Sequence, residues 1–236
     1  MTDRDLEGWT VLFDLDGTLV DSAPDLIGTL NRLLIEEGLP PVEMEAASTL
    51  IGSGARALLV HGFEAAGGDV ERARSEDLFE RFLVHYADHI ANGSQPFEGV
   101  VETLERLKAR GAVLAVATNK RSDLSEMLLE KLDLKDHFAA VVGPDRVSAR
   151  KPSGAHLIEA VAKVGGDAAR AIMVGDAAPD AEAARDAGMP CVLATFGYTP
   201  APVEDLGGDV LIDAFEDVEE AIDGLLADHY VRRALG

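Results

Sequence analysis

VLFDLDGTLVDSAPDL (residues 11–26) begins as an apolar, β-favouring run, reaches Asp14, and sets a second carboxylate, Asp16, two residues on and directly before Gly17. A short apolar run closed by a glycine turn reads as a strand buried on both faces. Its carboxyl end carries two acids. Much of the fold and its chemistry depends on why they are there.

From residue 93 onward the same kind of run recurs: AVLAVAT (112–118), FAAVVG (138–143), AIMVGD (171–176), PCVLAT (190–195) and DVLI (209–212). Between them lie VVETLERLKARG, SDLSEMLLEKL, AHLIEAVAKVG and APDAEAARDAG, amphipathic at helical spacing, and three of these four end in glycine. Strand–helix alternation predicts an α/β, Rossmann-like parallel sheet covered on both faces. Residues 21–92 break the pattern, with helical stretches only: APDLIGTLNRLLIEEG, a short one near VEMEAAST, ARALLVHGFEAAG and a long DVERARSEDLFERFLVHYADHI. The expected organisation is a core of residues 1–20 and 93–236 with a small all-helical cap, residues 21–92, inserted after the first strand. Phe63, Phe79, Phe82 and Tyr86 have the spacing of a cap core.

In open parallel sheets ligands bind at the carboxyl ends of the strands. Those positions hold Asp14 and Asp16; Thr118, Asn119 and Lys120; Lys151; and Asp176 followed by Asp180. Singly, each has an ordinary reading as a helix cap, a turn or a solvated lysine. Together they supply carboxylates for a hard cation and a hydroxyl and amines for an oxyanion. Asp14 and Asp176 suit Mg²⁺, which favours a few carboxylates and a phosphate oxygen. A phosphate then fits between the metal, Thr118 and Lys151. One carboxylate would attack phosphorus, and Asp16, on a turn that Gly17 allows, would move the proton.

The overall composition restricts the partners. With 43 acids against 21 bases the formal charge is −22, which repels nucleic acid and anionic lipid. Hydrophobic residues are 47% and charged residues 27%, as in ordinary globular domains. MTDRDLEGWT is no secretory leader, no run is long enough for a bilayer, and Cys191 stands alone, so a cytoplasmic, disulfide-free protein is expected. The six histidines form no metal motif and read as surface or packing residues.

DLDGTLVDS, ATNK, RKPSG and VGDAAPD resemble, in order, the four motifs of the haloacid dehalogenase superfamily in its phosphatase branch. The resemblance implies Asp14 as nucleophile and Asp16 as acid/base whose backbone carbonyl also binds Mg²⁺. It implies Thr118 and Asn119 on the phosphate with Lys120 and Gly17 near the substrate, Lys151 as the motif lysine, and Asp176 and Asp180 at the metal. DLDGTLVDSAPDL with TNK is similar to phosphoglycolate phosphatases, and IGSGARALL resembles their cap segment, with Arg56 as a substrate contact. The implied substrate is a small phosphorylated metabolite, most directly 2-phosphoglycolate, and the implied state a monomer or homodimer. Arg121, Ser153, Gly154, Ala177 and Pro179 depart from the usual motifs, yet none removes a charge the mechanism needs. Phosphatases of the same superfamily for another small ester (a sugar phosphate, nucleotide or pyrophosphate), a β-phosphoglucomutase-like mutase and a non-catalytic phosphate-binding relative share these motifs and stand as alternatives. Asp16 argues against the dehalogenase branch, and a receiver module would lack the D-x-D-G pair and the helical insert.

Overall fold

A computed structural model describes residues 5–44, 51–52 and 54–235, with side chains after residue 227 left aside. Six parallel strands form the sheet: β1 (Thr10–Phe13), β4 (Val113–Ala117), β5 (Ala140–Val142), β6 (Ala171–Gly175), β7 (Cys191–Ala194) and β8 (Val210–Ile212). Their order is β5-β4-β1-β6-β7-β8, so β1 is central, with β4 on one side and β6 on the other. This is the α/β architecture expected.

Every residue of β1 is buried. Val11 and Phe13 join one apolar cluster and Leu12 the other, because successive side chains leave opposite faces of a strand. Helices α7 (Gly154–Lys163) and α8 (Ala178–Ala187) cover the Leu12 face. Helices α5 (Val100–Ala109), α6 (Ser122–Lys131) and α9 (Val218–Leu235) cover the Phe13 face, where Phe215 stacks on Phe13 at 5.9 Å.

After Asp21, the described regular elements of residues 21–92 are all helices: α1 (Ala23–Glu36), α2 (Ala55–Ala65), α3 (Val70–Ala73) and α4 (Glu76–His89). The long helix expected from residue 69 to 90 is two. Ser75 is extended at ψ 145°, and its hydroxyl bonds back to the Arg72 carbonyl, closing α3 and opening α4. The short helical stretch near VEMEAAST lies mostly outside the described residues, as does Ser53 of IGSGARALL. Phe63, Phe82 and Tyr86 are buried within the insert, as their spacing implies.

The two crossings between core and insert are paired with each other. Val20–Asp21 (β2) pairs antiparallel with Gln95–Pro96 (β3), so the two chain crossings form one ribbon. Asp25 in the first turn of α1 locks it by accepting from the amides of Gly93 and Ser94 and from the Ser94 hydroxyl, at 2.6–3.1 Å. No helix of the described residues is long and apolar enough to cross a membrane.

Candidate active site

The register of the three central strands sets the height of the site. Phe13 pairs with Val116 on β4 and with Val174 on β6, so the residues following these strands, Asp14, Thr118 and Asp176, emerge at one end and nearly one level. Asp180 follows in the first turn of α8. Asp14, Asp176 and Asp180 are all buried, and ligand oxygens of the three lie within 4.8 Å of one another.

Each carboxylate is held by its neighbours. Asp176 Oδ1 accepts from the Thr18 hydroxyl at 2.7 Å, and its Oδ2 accepts from the Tyr198 amide at 2.7 Å. Asp180 Oδ2 accepts from the amides of Asp176 and Ala177 at 3.2 and 3.1 Å, a cap supplied from inside the helix where Ala177 has no hydroxyl. Pro179 sits in the first turn of α8, where its missing amide costs nothing. Lys151 Nζ donates to Asp180 Oδ1 at 2.6 Å and meets Asp14 Oδ1 at 3.0 Å, and the Leu15 amide also donates to Asp14 Oδ1. Among the described residues the contacts to this carboxylate fall on Asp14 Oδ1, and none falls on Oδ2.

Gly17 is required by this packing. Its φ is +88°, and a Cβ there would fall 2.5 Å from Asp176 Oδ2. It shapes the turn against Asp176 and does not line the cavity described below.

Three buried carboxylates face one ammonium. Burial, with Asp180 and Asp16 nearby and Lys151 opposing, pushes Asp14 up to about 6. Burial, then Asp180 and Asp14, hold Asp176 well above the ordinary carboxylate range. Burial opposes the charge on Lys151, but Asp14 and Asp180 outweigh it and raise its pKa. A hard-oxygen donor set with more negative charge than its lysine balances suits a divalent cation.

Asp16 lies apart from these three. Both its oxygens accept from Lys120 Nζ, at 2.6 and 2.9 Å, and Oδ1 accepts from the Ser22 hydroxyl at 2.5 Å. The Lys120 ammonium also stands 4.6 Å from the centroid of the Tyr86 ring on α4. Thr118 Oγ1 accepts from the Lys120 amide at 3.2 Å. Asn119 Nδ2 donates to the Lys151 carbonyl at 3.2 Å, while its buried Oδ1 has no partner among the described residues.

Sheet and insert enclose a cavity of about 180 Å³ over these groups. The core contributes Asp14, Asp16, Thr118, Asn119, Lys120, Arg121 and Arg150; the insert contributes an apolar wall that includes Leu26, Leu58, Phe79, Phe82 and Leu83. Phe79, Phe82 and Tyr86, read from sequence as cap core, therefore also face the site. Arg56 reaches the cavity, but its guanidinium is paired with Glu76 at 2.7 Å and lies 3.7 Å over the Phe79 ring.

Two supporting residues escaped the sequence reading. His156 is fully buried, accepts from the Lys151 amide at Nδ1 (3.2 Å), and its Nε2 meets the Val142 carbonyl at 3.0 Å. Burial pushes its pKa down to about 4, so it stays neutral. His156 shares an apolar helix face with Leu157 and Ala160, so in sequence it looked like packing. Tyr198 follows β7; its amide holds Asp176, while its hydroxyl accepts from the Ala23 amide and pairs with the Asp21 carboxylate beside the ribbon. The strand-end rule applied to PCVLAT would have led to it.

Known proteins resemble this chain in sequence and in fold. Residues 11–194 match the family described as haloacid dehalogenase-like hydrolase. The chain is 51% identical over 223 residues to a phosphoglycolate phosphatase of Caulobacter vibrioides, covering 94% of each chain. It is 42% identical over 222 residues to a phosphoglycolate phosphatase of Agrobacterium fabrum, covering 94% of this chain and 95% of that one. Among solved structures, that of a predicted phosphoglycolate phosphatase from Haemophilus somnus 129pt superposes with a TM-score of 0.82 at 31% identity, covering 94% of this chain and 99% of that one. With the four motifs at the carboxyl ends of a parallel sheet and a match spanning the strands that carry them, the chain belongs to the haloacid dehalogenase-like hydrolases.

Proposed function

We propose that this hydrolase is a Mg²⁺-dependent phosphatase that cleaves 2-phosphoglycolate to glycolate and phosphate through an aspartyl-phosphate. The observation that carries the reading is the division of labour between two nearby acids: Asp14 is buried against Lys151 with one oxygen free, and Asp16 faces the cavity on the other side, held by Lys120 and Ser22. The names of the Caulobacter and Agrobacterium relatives support the substrate.

In the first step Asp14 Oδ2 attacks phosphorus, the bond to the ester oxygen breaks, and Asp16 gives that oxygen its proton. In the second, a water attacks the phosphorus of the aspartyl-phosphate, Asp16 takes its proton, and phosphate leaves with the Asp14 carboxylate restored. Thr118 Oγ1 and Lys151 Nζ bind the phosphoryl oxygens, and His156 keeps the Lys151 backbone in register. Asp14, Asp176 and the Asp16 carbonyl would hold the cation, with Asp180 behind them; when bound, it neutralises charge on the phosphoryl group. Residues 21–92 act as a cap over the core of residues 1–20 and 93–236, swinging on the β2–β3 ribbon and excluding water from the first step.

A short acid fits this cavity better than a sugar phosphate, whose several hydroxyls would lie against the apolar wall of α2 and α4 without partners. Cys191 is buried and unpaired, in keeping with a reducing cytoplasm. The test is phosphate release from 2-phosphoglycolate, sugar phosphates, nucleotides and aromatic phosphates, each with Mg²⁺ and with chelator. Preference for 2-phosphoglycolate, abolished by chelator, is expected; release unaffected by chelator, or preference for a sugar phosphate, overturns the reading.

A further inference from the structure

Asp16, the proton donor of the proposed reaction, is bonded to Lys120, and Lys120 in turn stands over Tyr86. Lys120 Nζ is 2.6 Å from Asp16 Oδ1 and 4.6 Å from the Tyr86 ring centroid. A leaving group whose ester oxygen is protonated by Asp16 sits in the cavity that this lysine–tyrosine pair also lines. Tyr86 is 1% exposed and lines the cavity, and among the described residues its hydroxyl proton has no acceptor within hydrogen-bond distance, with the Lys120 ammonium beside it. Its ring is held by stacking on Phe82, with centroids 6.1 Å apart.

A buried donor without a partner is uncommon in a folded protein, because its lost hydration is not repaid. Such a group facing a cavity is a place where a ligand atom belongs. The other described side chains that the insert contributes to the cavity are apolar, except Arg56, which is already paired with Glu76. Opposite Tyr86, the Lys120 ammonium gives the same spot a positive charge in a chain of net charge −22. A neutral donor and an ammonium side by side suit a carboxylate, whose oxygens accept several hydrogen bonds.

We propose that Tyr86 Oη, together with Lys120 Nζ, recognises a carboxylate carried on the carbon next to the ester oxygen, so that the substrate class is the 2-phosphooxy carboxylates. This rests on the phosphatase reading above and adds a recognition residue that the motifs do not contain. Because α4 carries Tyr86, a substrate carboxylate also ties the insert to the core, joining selection to closure.

The experiment compares kcat/KM for 2-phosphoglycolate with that for ethyl phosphate, which has the same two carbons and no carboxylate, in the wild type and in Tyr86→Phe. 2-Phospholactate is assayed beside them. The wild type is expected to favour both carboxylated esters over ethyl phosphate, and Tyr86→Phe to lower that ratio about 10- to 100-fold. The variant should melt about as the wild type does, because among the described residues the hydroxyl proton has no acceptor to lose. A preserved ratio in Tyr86→Phe overturns this inference alone. A wild type inactive on 2-phosphoglycolate but selective for 2-phospholactate, with the ratio lost in the variant, overturns the substrate assignment and supports the inference. A wild type that favours ethyl phosphate, or releases phosphate from none of the three, overturns both.

Discussion

Two groups of carboxylates in this chain live under opposite electrostatics. In the core, Asp14, Asp176 and Asp180 are buried around the single ammonium of Lys151, and Asp14 and Asp176 are pushed up. In the insert, Glu36 and Glu37 at the end of α1 meet Arg32, Arg72 and Arg81 at 2.5–2.8 Å near the surface, and both carboxyls are pulled down. The insert cluster is a clasp that joins α1 to α3 and α4 and satisfies itself. The core cluster is forced together by strand register and remains short of positive charge. Excess buried charge of one sign, maintained by backbone geometry, marks a place built for something the chain does not itself supply.

The largest effect that would break this contrast concerns activity. Asp14→Asn should reduce phosphate release more than about 1,000-fold, since the amide cannot attack phosphorus. An active variant would remove Asp14 from the centre of the scheme.

A smaller effect concerns pH. Asp14 has a folded pKa of about 6 against an ordinary value of 3.8. Between these values the native state binds more protons than the unfolded state, so in chelator this group costs stability increasingly as pH rises toward about 6. The melting temperature of Asp14→Asn minus that of the wild type, both in chelator, should therefore grow from about pH 4 to 6 and level off above. A difference that shrinks with rising pH would mean that Asp14 is stabilised by its surroundings, as the insert acids are.

The smallest effect is expected in the clasp. Hydrogen bonds from Arg72 and Arg81 bring Glu37 down to about 2 from 4.5. Its contribution is then complete above about pH 4.5 and lost as pH falls toward 2. Glu37→Gln should cost about 1 kcal/mol at neutral pH, a size set by partial exposure of the cluster, and nothing at the acid end of that window. A stabilised Glu37→Gln protein would show that the two clusters do not differ in kind.

What could be read from the sequence follows the same division. The strands were legible because a strand buried on both faces is continuously apolar, as in TVLF and AIMVG, and the acids were legible because they end those runs. The fastening of the insert was not. Val20–Asp21 and Gln95–Pro96 are too short to show a period, and the Asp25 lock joins residues far apart in sequence. Asp16 could be picked out from the sequence as the second acid after the first strand, but its ion pair with Lys120 depends on the packing of β1 beside β4. His156 and Tyr86 follow the apolar spacing of their helices, and only a resolved partner, or the lack of one, separates them from core residues. Ala177, a departure in the motif, meets the insert: a Cβ on Gly52 would come within 3.1 Å of its own.

The central claim is that the core carboxylates form a divalent-cation site. The direct measurement is the melting temperature of chelator-treated protein titrated with Mg²⁺, for the wild type and Asp176→Asn. The wild type should rise with Mg²⁺ concentration as binding to the native state requires, whereas Asp176→Asn should melt no lower than the wild type in chelator and gain little from Mg²⁺. An equal rise in both proteins, or none in the wild type, would contradict the site.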